Sequence, residues 1–194
     1  MDRIITKKLN GNEKFVGIDK HILDYWSWAH SDIASNAERG RMAEYLVAVA
    51  LNAQRECRVE WDAVDIVTPD GIKVEVKSAS YLQTWKQTKP SVIQFDIAPK
   101  LAWYSETNTY SAVKTRVADV YVFCLFASKD HETANPMDTA QWEFYVLPTR
   151  VLDEQLLEQK TVRLSTLNKL EAKKVGYLDL EDAIRACIGE ELEE

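Results

Sequence analysis

Two carboxylates and a lysine lie on either side of one turn, at a spacing that suits metal-assisted chemistry. Asp65 stands at the start of a short apolar run, and Glu75 and Lys77 lie on the next run beyond the turn residues 69–71. Side chains alternate along a strand, so Glu75 and Lys77 share a face while Val76 points to the other. Carboxylate oxygens are hard ligands that suit Mg²⁺. The pattern predicts that Asp65 and Glu75 share a divalent cation beside Lys77, which would help to activate water for attack on phosphorus.

A strand with one solvent face also alternates apolar and charged residues, so Glu-Val-Lys needs its context to indicate a site. A helix just upstream adds a third acid. Ser35 and Glu38 have the spacing of a capping box and predict a helix that continues to Gln54. Glu44 lies within its apolar stretch. Its partner is either Arg41, three residues back, or a metal at the edge of the sheet, and beside the hairpin we favour the metal.

Together these residues resemble the PD-(D/E)xK nuclease superfamily, which has the restriction-endonuclease-like fold. Its pattern is a Glu on a helix, an Asp on a strand and Glu-x-Lys on the next strand. The matching positions here are Glu44, Asp65 and residues 75–77, and the resemblance spans residues 35 to about 126. The Pro that usually precedes the Asp is replaced by Val64.

Asp62 is a rival for the acid on the first strand. In a regular strand a spacing of three puts Asp62 and Asp65 on opposite faces, so only one of them can face the metal unless a bulge intervenes. We choose Asp65, because Ile66 and Val67 continue the apolar run beyond it.

The resemblance implies a Mg²⁺-dependent endonuclease, with Mn²⁺ as an alternative ion, whose metal-binding and catalytic residues are Glu44, Asp65, Glu75, Val76 through its carbonyl, and Lys77. Lys77 would orient or activate the attacking water. Three carboxylates brought together repel one another unless a cation or a proton intervenes, which also indicates a metal. We expect DNA as the substrate, with RNA as the alternative. A competing hypothesis is a catalytically inactive module of the same fold that binds nucleic acid or protein. The presence of both Glu75 and Lys77 disfavours it, because such a module does not need an acid and a base at the spacing of a metal site.

The net charge of −7 argues against general affinity for nucleic acid, because a non-specific binder normally carries a basic surface. The charge is unevenly distributed. Residues 73–117 carry seven basic and three acidic side chains, whereas residues 151–194 carry six basic and eleven acidic ones. The basic stretch follows the predicted site, as a groove for phosphates would require.

The residues predicted to bind nucleic acid are Gln83, Trp85, Lys86, Lys89, Lys100, Lys114 and Arg116. For Trp85, packing against the domain is an equal alternative.

The length of 194 residues suits one domain, with a nuclease-like core over about 35–148 and a helical extension over 149–194. The predicted fold is α/β, with a mixed sheet of about five strands flanked by helices. Other predicted elements are a helix over the core at 19–30, a third meander strand at 91–97, a loop or broken helix at 98–116, strands at 118–126 and 141–148, and a disordered acidic tail at 190–194. No signal-like or membrane-spanning run is seen, so we expect a cytoplasmic enzyme, with a homodimer left open.

Overall fold

The computed structural model of the protein describes residues 7–58, 62–104 and 109–189. Its helices are α1 (Ile22–His30), α2 (Asn36–Ala50), α3 (Thr149–Leu156), α4 (Leu164–Lys169) and α5 (Leu180–Gly189). Its strands are β1 (Ile66–Val67), β2 (Lys73–Ser80), β3 (Gln94–Asp96), β4 (Lys100–Tyr104), β5 (Thr109–Thr115), β6 (Val120–Phe126), β7 (Trp142–Pro148), β8 (Thr161–Arg163) and β9 (Lys173–Val175). Within this described part, no helix is long and apolar enough to cross a membrane.

Five strands form the main sheet in the order β1, β2, β6, β7, β9. β2 and β6 run parallel, and the other neighbours run antiparallel. Every residue of β6 is buried, as expected for an unbroken apolar run at the centre of a sheet. This arrangement confirms the predicted α/β fold with a mixed sheet of five strands flanked by helices.

The two faces of the sheet pack on different layers. Val74 and Val76 of β2 lie in the core beneath α2 and α5. Phe123 of β6 faces the opposite way, into a second core formed with α3, α4 and the small β3–β8 sheet. Because side chains alternate along a strand, Glu75 and Lys77 lie on the second face, away from α2.

Ser35 begins α2 as its sequence predicts. Its Oγ accepts a hydrogen bond from the Glu38 N–H at 3.4 Å. The carboxylate of Glu38 binds His30 and Arg41, and the Ser35 N–H donates to a backbone carbonyl instead. Only half of the predicted capping box therefore forms, and the helix ends at Ala50, earlier than predicted.

Two elements between β2 and β6 differ from their predictions. The third meander strand predicted at 91–97 is wrong, because β3 lies outside the main sheet and pairs with β8. Residues 98–116 contain the β4–β5 hairpin rather than a loop or a broken helix. The hairpin depends on contacts between its strands, such as that of Trp103 with Tyr110, which the local pattern of either strand does not reveal.

The N-terminal helix forms as α1, but the prediction that it packs over the core is wrong. None of its residues is buried, and Trp28 is 83% exposed. Helical spacing defines an apolar face without defining what covers it. At the other end of the chain, β9 joins the main sheet and α5 packs against it, so 149–189 contributes strands as well as helices. The predicted acidic tail at 190–194 lies outside the described residues.

Candidate active site

The β1–β2 turn brings the first acid next to the Glu-Val-Lys strand. The Gly71 N–H donates to the Thr68 carbonyl at 2.9 Å, and Gly71 adopts a φ of +95°, which glycine tolerates best. Ile66 pairs with Val74 in the antiparallel register. One residue earlier, the same register places Asp65 opposite Glu75, and cross-strand partners lie on the same face.

Asp65 takes the place of a strand partner at the edge of β2. The Val76 N–H donates to Asp65 Oδ2 at 2.7 Å, while β1 pairs only with residues 73 and 74. The N–H and C=O of one strand residue point to the same side, as the exchange of both hydrogen bonds within a bonded pair requires. The Val76 carbonyl therefore faces the same edge as the Asp65 carboxylate.

Glu75 and Lys77 form a largely enclosed ion pair beside Asp65. Their side chains are 13% and 16% exposed, and Lys77 Nζ donates to Glu75 Oε1. Lys100 Nζ lies 3.7 Å from the same oxygen and 3.6 Å from Asp96 Oδ2. Burial alone would lower the pKa of Lys77, but the negative charges of Glu75 and Asp65 outweigh it and raise that pKa. Lys77 is therefore an ammonium at neutral pH.

The surroundings of Asp65, by contrast, disfavour the charged form of its carboxyl group. Desolvation, followed by the negative charge of Glu75, raises its pKa from an ordinary 3.8 to about 6, although Lys77 and the Val76 N–H act in the other direction. Asp65 is an exposed residue as a whole, but protein atoms surround its carboxyl group. Burial and the neighbouring carboxylate thus both disfavour the charged form of Asp65.

This raised pKa gives a testable dependence of stability on pH. Between about pH 4 and pH 6 the folded protein holds the Asp65 proton more tightly than the unfolded chain does, so metal-free stability falls as pH rises through this window. The full shift corresponds to about 3 kcal/mol, which solvent screening of an exposed residue reduces to about 1 kcal/mol. We expect Asp65→Asn to be more stable than the wild type by about that amount at pH 7.

Urea unfolding in EDTA at pH 4.5 and pH 7.5 measures this difference. Asp70→Asn is the control, because hydrogen bonds with Thr68 and Arg185 lower the pKa of Asp70, so its loss should cost stability at neutral pH. If Asp65→Asn destabilised the protein at pH 7.5 as Asp70→Asn does, the proposed cost of keeping Asp65 charged in the folded protein would be wrong.

Glu44 lies to one side of this group. Arg58 donates to both of its carboxylate oxygens, from Nε at 2.6 Å and from Nη2 at 2.9 Å. Arg41, the alternative partner in the sequence, pairs with Glu38 instead. Glu44 contributes to the raised pKa of Asp65 through its charge, but it is on the helix that packs against the other face of the sheet. Across the described ranges, no three Asp, Glu, His or Cys side chains are grouped closely enough to hold one metal ion.

Asp62 takes part in a separate ion pair. Arg55 Nη1 donates to Asp62 Oδ2 at 2.9 Å. Asp65, and not Asp62, hydrogen-bonds to the Val76 amide. The structure therefore brings together Asp65, Glu75 and Lys77, as the choice of Asp65 over Asp62 anticipates.

The predicted nucleic-acid-binding residues occupy different environments. Lys100 lies at the site, and Lys86, Lys89 and Lys114 are exposed. Trp85 is 57% exposed, so packing against the domain does not account for it. Contact of these residues with nucleic acid stays a prediction.

Gln83 is held within its own loop. Its Nε2 donates to the Ser80 carbonyl at 3.3 Å and to Ser91 Oγ at 3.2 Å. Its Oε1 is buried without a hydrogen-bond partner. It lines a cavity of about 240 Å³ shared with Asn36 and Arg39, which is not one of the cavities that contain Asp65. Gln83 is therefore held by its own loop and lies outside the two cavities that contain Asp65.

Arg116 does not fit the nucleic-acid-binding role predicted for it. Its side chain is only 1% exposed. Its guanidinium donates to the Ile97 carbonyl at 2.8 Å, to Asp153 Oδ1 at 2.6 Å, and to the carbonyls of Leu157 and Gln159 at 3.0 and 3.3 Å. Because Ile97 and Arg116 flank the β4–β5 hairpin, this cation anchors the base of the hairpin and is not available to phosphate.

Two cavities meet at the acids. One, of about 520 Å³, is lined by Glu44 and Asp65 and by basic residues that include Arg41, Arg55 and Arg58. Arg55 and Arg58 lie outside the basic stretch that begins at residue 73, so the distribution of charge along the sequence does not identify them. Residues 55–60 carry two arginines and two glutamates, so no local excess of positive charge marks this segment in the sequence.

The second cavity, of about 280 Å³, is lined by Asp65, Glu75 and Lys100 together with Trp103 and Tyr110 of the β4–β5 hairpin. Asp62 and Asp65 line both cavities. Asp65 therefore lies where a cavity lined by both basic and acidic side chains meets one that contains two aromatic rings. Such an arrangement suits a phosphodiester whose phosphates and bases extend to either side.

The sequence model of a family described as Bacteriophage T4 endonuclease IV matches residues 12–166. No curated protein matches the chain. The matched range covers most of the chain and takes in α2, the β1–β2 hairpin and the β4–β5 hairpin. It therefore contains the whole group formed by Asp65, Glu75 and Lys77. The chain belongs to the bacteriophage T4 endonuclease IV family, which is a family of nucleases and thus has nucleic acid as its substrate.

Proposed function

We propose that the protein is a Mg²⁺-dependent DNA endonuclease of the PD-(D/E)xK type. The observation that carries this proposal is the contact of Asp65 with the Val76 amide beside the Glu75–Lys77 pair, at the junction of the two cavities. Membership of an endonuclease family supports the hydrolysis of phosphodiester bonds. The order of elements, from the helix carrying Glu44 through the hairpin to a parallel β6, supports the superfamily.

The residues at this point suit a divalent cation. Desolvation, and after it the negative charge of Glu75, raises the pKa of Asp65 to about 6, and a cation bound between the two carboxylates would stabilise their charged forms. Mg²⁺ commonly binds proteins through only one or two carboxylates and completes its shell with water and phosphate oxygens. Asp65, Glu75 and the Val76 carbonyl would hold it, and Glu44 would add negative charge from the side. Mn²⁺ prefers the same oxygen ligands.

When bound, Mg²⁺ would supply Lewis-acid stabilisation of the charge that develops at the phosphoryl group. Lys77 remains protonated at neutral pH, so it serves as a hydrogen-bond donor rather than as the base. As an ammonium it would orient the attacking water and stabilise negative charge on the phosphate oxygens. The hydrogen bond to Glu75 holds the ammonium group of Lys77 beside the acids.

The arginines of the larger cavity would bind the neighbouring phosphates. Arginine suits this task because its planar guanidinium forms two parallel hydrogen bonds to phosphate oxygens. Arg58 and Arg55 lie at the cavity and pair with Glu44 and Asp62. A bound strand would compete with these carboxylates for the two guanidiniums. Release of Glu44 from Arg58 would remove the positive charge that neutralises the Glu44 carboxylate. Its negative charge could then help to balance the charge of a metal ion.

An activity screen tests the proposed function. Supercoiled plasmid, linear duplex, single strands and four-way junctions are incubated with Mg²⁺, with Mn²⁺ and with EDTA. We expect cleavage only with the metal ions. Asp65→Asn should abolish it, whereas the matched variant Asp62→Asn should lose less than about tenfold, because Asp62 is held by Arg55 away from the Val76 amide. Cleavage that persisted in EDTA, or equal losses in the two variants, would show that the assigned centre is wrong.

Removal of the two exposed lysines after the site should change the salt dependence of DNA binding. Each lost phosphate contact reduces the slope of log affinity against log salt by about 0.9 for duplex DNA, so Lys86→Ala with Lys89→Ala should lower it by up to about two units. Binding isotherms at several salt concentrations, with Ca²⁺ replacing Mg²⁺ to prevent cleavage, give the slope. The control is the double variant of the exposed Lys160 and Lys169. A slope that stays at the wild-type value would mean that Lys86 and Lys89 are only solvated.

A further inference from the structure

The β4–β5 hairpin presents two aromatic rings beside the acidic group. Trp103 and Tyr110 are cross-strand partners with ring centroids 4.8 Å apart and planes inclined by 56°. Both rings line the cavity of about 280 Å³ that also contains Asp65 and Glu75. The register of the hairpin shifts between Leu101 and Trp103. Such bulges are common next to active sites, where they redirect a side chain.

Core packing does not explain these rings. Neither belongs to the two buried clusters of the sheet, and β5 is exposed along almost its whole length. Tyr110 is itself exposed, and Trp103 is only partly buried. A two-stranded hairpin is marginally stable by itself, so the contact between the rings does help to hold it. That contact alone would not require both rings to line a cavity shared with catalytic carboxylates.

The position of the rings relative to charge indicates what they bind. Lys100 precedes Trp103 on β4, and its Nζ lies 3.7 Å from Glu75 Oε1 at the same cavity. A phosphate bound near Asp65, Glu75 and Lys100 would place its attached nucleoside in the space in front of Trp103 and Tyr110. Every nucleobase has a π face that stacks on an aromatic side chain. By contrast, Trp85 is exposed but lines neither of the cavities that contain Asp65.

We propose that Trp103 and Tyr110 form a nucleobase-stacking subsite that holds the base adjacent to the scissile phosphate. This inference rests on the proposed nuclease function and adds a specific ligand, one unstacked nucleotide, to it. The base of the hairpin is anchored by the hydrogen bond that Arg116 donates to the Ile97 carbonyl. A base in this subsite is separated from its neighbours in the strand during cleavage. The rings thereby fix the position of the adjoining phosphate over the carboxylates.

Oligonucleotides with a single abasic residue at successive positions test the subsite. Affinity is measured in Ca²⁺, so that no cleavage is needed. For the wild type, one position should show a loss of about 5- to 150-fold, which is the range for one base stacked on an aromatic side chain. Trp103→Ala should lose a similar factor on the intact strand and become insensitive to the abasic position. Trp103→Phe should retain most of the affinity and the position dependence, and Trp85→Ala should keep the full position dependence.

The way in which the two losses of affinity combine distinguishes base stacking by Trp103 from a purely structural role of this residue. If Trp103 only stabilises the hairpin, its replacement and the abasic residue will reduce affinity independently, which would overturn the proposal. Should Trp103→Ala disturb folding, Trp103→Leu keeps an apolar side chain without a π face and is expected to give the same loss. Absence of any position dependence, or of measurable binding, in the wild type would also overturn it. Binding with position dependence but no cleavage in Mg²⁺ or Mn²⁺ would instead contradict the proposed nuclease function and leave the subsite intact.

Discussion

Lys77→Ala should reduce cleavage by about 10² to 10³-fold, as expected for the loss of one donor aimed at the transition state, while Mg²⁺ affinity stays close to that of the wild type. Lys77 is a cation beside the acids, so it is not a metal ligand, and its removal leaves the oxygen donors of Asp65 and Glu75 in place. Asp65→Asn should instead weaken Mg²⁺ binding and cleavage together. The substitution removes one of the two negative charges at the site but keeps an oxygen that can accept the Val76 N–H.

Calorimetric titration of Mg²⁺ beside single-turnover cleavage separates these two effects. Lys73→Ala is the matched control, because Lys73 is an exposed lysine on the same strand, at the end remote from Lys77. It should change neither property appreciably. An equal loss of metal affinity in the Lys77 and Asp65 variants would contradict the assignment of Lys77 to the attacking water and the phosphate.

The parts of the fold that the sequence predicts well are those specified by local patterns. The Pro-Asp-Gly turn and the alternation that follows it predict the β1–β2 hairpin, and Gly71 has the positive φ that such a turn uses. An unbroken apolar run predicts β6 as a buried central strand. Because Asp65 is next to this hairpin, its position opposite Glu75 follows from register alone.

The parts that the sequence does not predict depend on partners far along the chain. β3 pairs with β8, more than sixty residues later, so its local alternation gave no reason to place it outside the main sheet. The sequence predicts Glu44 at the metal, whereas in the structure the guanidinium of Arg58, in the loop after the helix, binds its carboxylate. Periodicity identifies the apolar face of α2 without indicating which acceptor or donor meets Glu44 at the edge of that face.

Arg116 shows that the role of a charged residue also depends on distant parts of the chain. In the sequence it is one of seven basic residues in a positive stretch, where nothing distinguishes it from the lysines. Its burial depends on carbonyls of Ile97, Leu157 and Gln159, which only the tertiary fold brings around one guanidinium. Net charge over a segment thus predicts electrostatic tendency, but it does not distinguish a buried anchor from an exposed phosphate ligand.

Arg116→Ala should therefore lower the free energy of unfolding by about 3 kcal/mol, because it removes a buried cation and leaves its carbonyl acceptors unpaired. Lys114→Ala, two residues earlier on the exposed strand, should change stability by less than about 0.5 kcal/mol. Urea unfolding measures both. The hairpin should also loosen when its anchor is lost, so limited proteolysis should cut Arg116→Ala within residues 98–115 faster than the wild type.

Stability, protease resistance and DNA affinity, measured together, show whether Arg116 supports the site by holding the β4–β5 hairpin. If Arg116 bound phosphate instead, its replacement would reduce the salt slope of DNA binding by about 0.9 and leave unfolding unchanged. If it holds the hairpin, stability and protease resistance fall first, and DNA affinity falls because Trp103 and Tyr110 are no longer fixed beside Asp65. Equal and small changes in stability for the Arg116 and Lys114 variants would show that the buried guanidinium does not support the hairpin.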